Sequence, residues 1–191
     1  MKVELIELEL LRREAGELSR ESFVERRPGT FLLAMGYLEV EQIQSRTRAS
    51  HDLTSAVSFG SQRRHQAGQA HPLAGLAFLL GQGGEPSATV GRSTQCHITI
   101  PDESVSDIHC KLELLDDVVH VVDVGSTNGT SINLRQLELG VAQAVADQDI
   151  LSMGRYSFQV LRAKTLHDEL SLLAAMDAFE NGENDGEPEA E

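Results

Sequence analysis

At 191 residues, with 40% of them hydrophobic and 4% aromatic, the chain is long enough for one ordinary domain plus extensions. Its net charge of −14, from 16 Lys and Arg against 30 Asp and Glu, repels nucleic acid and anionic lipid at long range, so any anion it binds is held by local donors. The two cysteines, Cys96 and Cys110, are too few for a secreted disulfide framework, and the acid-bearing N-terminus does not read as a signal peptide. The longest apolar runs, near 31–38 and 73–80, fall far short of a membrane span. Together these features predict a soluble, cytoplasmic protein.

In chain order, residues 4–27 carry Leu8, Leu11, Ala15 and Leu18 at helical spacing, with Pro28-Gly29 as the stop. Such a stripe packs on the protein's own body or docks a partner or second copy. Residues 31–40 are apolar without a decisive period. The chain then turns polar over 42–69; Ala56–Phe59 could form a short strand there, and Arg63, Arg64 and His65 form its most basic cluster, read as solvated linker. From 73 onward the pattern is β. A continuous apolar run at 76–80 is followed by a glycine-rich loop at 81–86. That loop lacks both the Lys-Ser/Thr ending of a nucleotide-phosphate loop and the spacing of a dinucleotide fingerprint.

Further strands are expected at 88–90, 98–100, 110–115, 118–124, 130–132, 150–153 and 156–161. Turn signals separate them every ten residues or so, as in a β-sandwich, and no helix-length segment interrupts them as a βαβ core would require. Helical spacing returns over 166–179, and the acidic, Gly- and Pro-bearing end is expected to be disordered. The expected organisation is a mainly β protein. Residues 1–50 form a helical or mixed N-terminal extension, 51–70 a polar linker, 71–163 a β-sandwich, 164–180 a C-terminal helix and 181–191 a disordered acidic tail.

Three turn-like signatures interrupt the β region: Gly91-Arg92, then Ser106-Asp107-Ile108-His109, then Asp123-Val124-Gly125-Ser126-Thr127-Asn128-Gly129-Thr130. They place a guanidinium, hydroxyls and an amide on loops between strands. Phosphothreonine carries nearly two negative charges and three acceptor oxygens. A reader of it needs one charge-assisted donor fork, plus hydroxyl and N–H groups for the remaining lone pairs. Arg92, Ser106, Thr127 and Asn128 meet that list.

These motifs, in this order, resemble the forkhead-associated (FHA) domain, a β-sandwich that binds phosphothreonine peptides. The resemblance covers roughly residues 73–163. It implies that Arg92 and Ser106 bind phosphate, that Thr127 helps bind it or shapes its loop and lines the pocket for the threonine methyl, and that Asn128 holds the peptide main chain. Asp107 and Ser126 are auxiliary candidates, while Gly91, His109 and Gly129 are structural. The chain departs from the family at Asp107, where Asn or a basic residue is usual, and at Asn133-Leu134, where Asn-Gly is usual. The resemblance implies a signalling adaptor that binds a phosphothreonine-bearing protein or a Ser/Thr protein kinase, with no cofactor. Asp102, Glu103 and Asp107 predict basic residues flanking the phosphothreonine.

The alternative is an assembly subunit of the same fold that binds an unphosphorylated partner or itself through its terminal helices. A zinc site from Cys96, His97, His109 and Cys110 is disfavoured, because neighbours in a strand point to opposite faces. No nucleophile elbow, metalloprotease helix or kinase signature is present, so no catalytic residue is assigned.

Overall fold

The computed structural model describes residues 1–37, 73–81, 83, 87–116 and 118–182. The expected linker with its basic cluster, the short strand at 56–59, most of the glycine-rich loop and the acidic tail from 183 onward lie outside these residues.

Twelve strands and three helices are described: β1 (Lys2–Glu7), α1 (Leu8–Glu17), α2 (Arg20–Arg26), β2 (Thr30–Tyr37), β3 (Leu76–Gly81), β4 (Ser87–Gly91), β5 (Ile98–Thr99), β6 (Cys110–Leu115), β7 (Val118–Asp123), β8 (Thr130–Ile132), β9 (Arg135–Gln136), β10 (Gln143–Ala144), β11 (Ile150–Met153), β12 (Tyr156–Arg162) and α3 (Ala163–Gly182). They form a seven-stranded sheet, β1-β3-β2-β12-β11-β8-β9, and a five-stranded sheet, β10-β7-β6-β4-β5. The two sheets pack face to face as a β-sandwich, with helices at both ends of the chain.

Two cores explain the two kinds of strand sequence. Phe78, Leu80, Leu32, Phe158 and Val160 fill the space between the sheets with Val90, Leu112 and Val121. Phe31, Leu33, Ala77, Leu79 and Leu161 point the other way, where Leu11, Ala15, Phe23, Leu166 and Leu170 of the helices cover them. Strands buried on both faces read as unbroken apolar runs, which is the pattern of β2 and β3. β6 and β7 bury one face only and alternate in burial.

The N-terminal segment departs from the helix expected over 4–27. Residues 2–7 pair along the whole edge of β3, from Lys2 opposite Gly81 to Glu7 opposite Leu76, so sheet hydrogen bonds satisfy the backbone there. Helix follows in two pieces. Leu18 ends α1, and Ser19 caps α2 by accepting the Ser22 N–H at 3.3 Å. β2 then enters the sheet between β3 and β12. Two strands of the seven-stranded sheet therefore come from the expected N-terminal extension. Arg27 grips Glu14 at 3.1 and 3.2 Å and Glu4 at 2.9 Å, tying β1, α1 and the end of α2 together. On α3, His167 packs against the Phe23 ring at 5.3 Å and Ser171 Oγ donates to the Ala15 carbonyl at 3.1 Å. The apolar stripes of the terminal helices thus rest on the chain's own sheet, leaving Leu172 and Met176 exposed on α3.

Two buried carboxylates brace the loops at one end of the sandwich. Asp102 receives Arg155 Nε at 3.0 Å and also Arg155 Nη2, with Ser104 N–H at 2.9 Å and Ser104 Oγ at 2.7 Å. Asp123 receives the N–H groups of Gly125 and Ser126 at 2.8 and 2.9 Å, Ser126 Oγ at 2.6 Å and Thr130 Oγ1 at 2.7 Å. Burial works against ionisation at both. The donors outweigh it, chiefly Arg155 for Asp102 and Ser126 for Asp123, and both pKa values fall to about 2.

Two measurements test this account. Phe23, fully buried between α2 and the sheet, should cost about 3–5 kcal/mol of stability when truncated to Ala, read by denaturant unfolding. The two carboxylates bind protons more weakly folded than unfolded, so their stabilisation is complete above about pH 4 and is lost as pH falls towards 2. Unfolding midpoints should therefore drop across that window. Asp123→Asn should be less stable at pH 7, by about 1–3 kcal/mol, and should lose less on acidification than the parent chain.

Candidate functional site

Three loops meet at the braced end. The first follows β4, the second joins β5 to β6, and the third joins β7 to β8. Arg92 N–H donates to the Ser106 carbonyl at 2.9 Å and Ser93 N–H to the Asp107 carbonyl at 3.1 Å, which aligns the first loop with the second. Gly91 permits this approach, because a Cβ there would lie 2.3 Å from the Asp107 carbonyl oxygen.

The second and third loops join through Ser106. Thr127 N–H donates to Ser106 Oγ at 2.9 Å, and Ser106 Oγ donates to Thr127 Oγ1 at 3.4 Å. His109 holds both loops from below. Its Nδ1 accepts the Ser106 N–H at 3.1 Å, so Nε2 carries the proton and donates to the Gly129 carbonyl at 3.0 Å. Burial pushes the imidazole pKa down, against the Gly129 carbonyl and Asp123, and favours this neutral tautomer. Gly129 itself adopts φ +77°, the left-handed turn conformation that glycine accepts without strain. Asn128 Nδ2 donates to the Ser104 carbonyl at 2.8 Å, tying the third loop to the second again.

Arg92, Ser106, Thr127 and Asn128 are therefore gathered at one end of the sandwich by contacts among their own loops. Ser106 is half-buried, and the other three are exposed. The auxiliary candidates behave differently. Ser126 gives its hydroxyl and its N–H to Asp123, so it shapes the loop from inside. Asp107 turns its carboxylate onto Arg92, with Oδ1 2.8 Å from Nη2. Of the carboxylates expected to influence a ligand, Asp102 is buried and paired with Arg155, so its charge is spent inside the fold.

Sequence reasoning did not single out the Asp102–Arg155 pair, whose members lie far apart in the chain. It also missed the use of Cys96, whose Sγ donates to the Asp107 carbonyl at 3.3 Å. Cys110 is buried against Met153, and burial pushes its thiol pKa up. Both thiols are free, and among the described residues no group of three His, Cys, Asp or Glu is placed to hold a metal ion. No described helix is long and apolar enough to cross a membrane.

Comparison with known proteins finds a family match at this end of the molecule. Residues 88–154 match the family model of the FHA domain. The oxoglutarate dehydrogenase inhibitor of Corynebacterium glutamicum is 35% identical over 85 residues, which cover 44% of this chain and 55% of that protein. The glycogen accumulation regulator GarA of Mycolicibacterium smegmatis is 35% identical over 85 residues, covering 44% of this chain and 50% of that one. The chain thus spans about half the length of the curated relatives it matches. A structure from a study of phosphothreonine-dependent FHA domain interactions is 27% identical, with a TM-score of 0.41, covering 46% of this chain and 85% of that one. The three loops, and nearly all of the strands that carry them, lie within the stretch that matches the forkhead-associated domain model.

Proposed function

We propose that this protein is a phosphothreonine-dependent binding module acting as a cytoplasmic adaptor or regulator, without catalysis of its own. The observation that carries this reading is the meeting of Arg92, Ser106 and Thr127 on three braced loops. In this reading the Arg92 guanidinium makes the charge-assisted contact to phosphate. Ser106 Oγ and the Thr127 hydroxyl supply further donors, and the threonine methyl rests beside Thr127. Asn128 keeps Oδ1 and one N–H without a partner among the described residues, and these suit the peptide main chain. The relatives named as an inhibitor and a regulator support a role in controlling a partner, and the two free thiols suit a reducing compartment. A phosphorylated target of a Ser/Thr protein kinase, or the kinase itself, is the partner class this chemistry fits.

A second reading rests on one contact. Asp107 already occupies part of Arg92, as it would in an assembly subunit that binds an unphosphorylated partner or itself. The two readings separate in solution. Calorimetric titration of the full chain should show binding of phosphothreonine peptides and none of their unphosphorylated counterparts. Arg92→Ala and Ser106→Ala should each weaken that binding by about 1.5–3 kcal/mol, roughly ten- to a hundredfold. Binding that ignores the phosphate, or that survives Arg92→Ala unchanged, decides for the second reading.

A further inference from the structure

The Arg92–Asp107 pair is not a chance meeting of two flexible side chains. Their main chains are locked side by side by the Arg92 N–H to Ser106 O and Ser93 N–H to Asp107 O bonds, and Cys96 Sγ anchors the same Asp107 carbonyl. Gly91 admits the contact. The two residues are therefore held on adjacent stretches of backbone, while both side chains stay open to water, 46% exposed for Arg92 and 73% for Asp107. A pair so exposed is easily exchanged. A phosphate with nearly two charges outcompetes a single carboxylate for the same donor fork.

Displacement leaves a problem of charge. Once phosphate holds Arg92, the Asp107 carboxylate stands beside a dianion with its own counter-charge removed. Among the described residues, the other basic groups on the loops at this end are occupied. Arg155 holds Asp102, His97 Nδ1 faces Thr89 Oγ1 and N–H at 3.1 Å, and His109 is buried and neutral. The compensating cation is best supplied by the ligand.

Resting on the phosphothreonine reading, we propose that Asp107 is the specificity-determining residue of this site. It caps Arg92 in the free protein and, once displaced, selects partners with a Lys or Arg next to the phosphothreonine. The same residue then weakens binding to every phosphopeptide that lacks such a cation. Selectivity here comes from an attraction to the right partner and a built-in competitor against the others.

The test uses the full chain and two degenerate phosphothreonine peptide libraries, matched except that one carries Lys or Arg at the flanking positions and the other Ala. The parent protein should prefer the basic library by about two- to fivefold. Asp107→Glu should keep the preference. Asp107→Asn, which leaves the main-chain contacts intact, should bind the Ala library about two- to fivefold more tightly than the parent and show no preference. Asp107→Lys should reverse the preference and bind the Ala library more tightly than the basic one. An Asp107→Asn protein that keeps the parent's preference, or gains nothing on the Ala library, overturns this inference and leaves phosphothreonine binding standing. A parent chain that binds neither library overturns both.

Discussion

A single buried imidazole sets the shape of the binding end. His109 has no solvent exposure, and each ring nitrogen is bound to a different loop, one to the Ser106 N–H and one to the Gly129 carbonyl. A neutral ring can accept at one nitrogen and donate at the other; a protonated ring would lose the Ser106 contact. Burial keeps it neutral. The hydroxyl of Ser106 and the turn that carries Thr127 and Asn128 are therefore held in one spatial relation before any ligand arrives. Pre-ordered donors lower the entropic cost of binding, which matters most for a small site with few anchors.

The molecule also has to hold an anion against its own field. Two of the described acidic residues sit directly under the loops, and the fold supplies partners to both from within. Asp102 is matched by Arg155, and Asp123 by hydroxyl and amide donors. Each is turned into a brace rather than left facing a ligand. Asp107 is the exception among these three, pointing outward on the one guanidinium that the phosphate reading needs. Local arrangement, more than net charge, governs what this end of the chain can bind.

The helices serve the opposite purpose. They cover the outer face of the seven-stranded sheet and make a second core of Leu11, Phe23, Phe31, Leu79 and Leu166, apart from the loops. An uncovered face with Phe31, Leu33 and Leu79 on it would be an aggregation surface. The terminal segments therefore complete the sandwich. β1 also extends the sheet beyond β3, so the N-terminal residues contribute to both layers.

From 76 onward the sequence alone revealed every strand but the two-residue β9 and β10, because alternation and turn residues are local signals, and it revealed the three motifs, because each is a short run within one loop. It could not place the N-terminal residues. The Lys2–Glu7 segment has helical spacing downstream of it, and only the open edge of β3 makes it a strand. Neither could it tell that Ser126 faces inward to Asp123 while Thr127 faces Ser106, since neighbouring turn residues look alike until the chain is folded. The pairing of Asp107 with Arg92, and of Asp102 with Arg155, joins residues distant in the chain. Such contacts are set by how the sheets bring loop ends together, and that is a property of tertiary packing rather than of any local pattern.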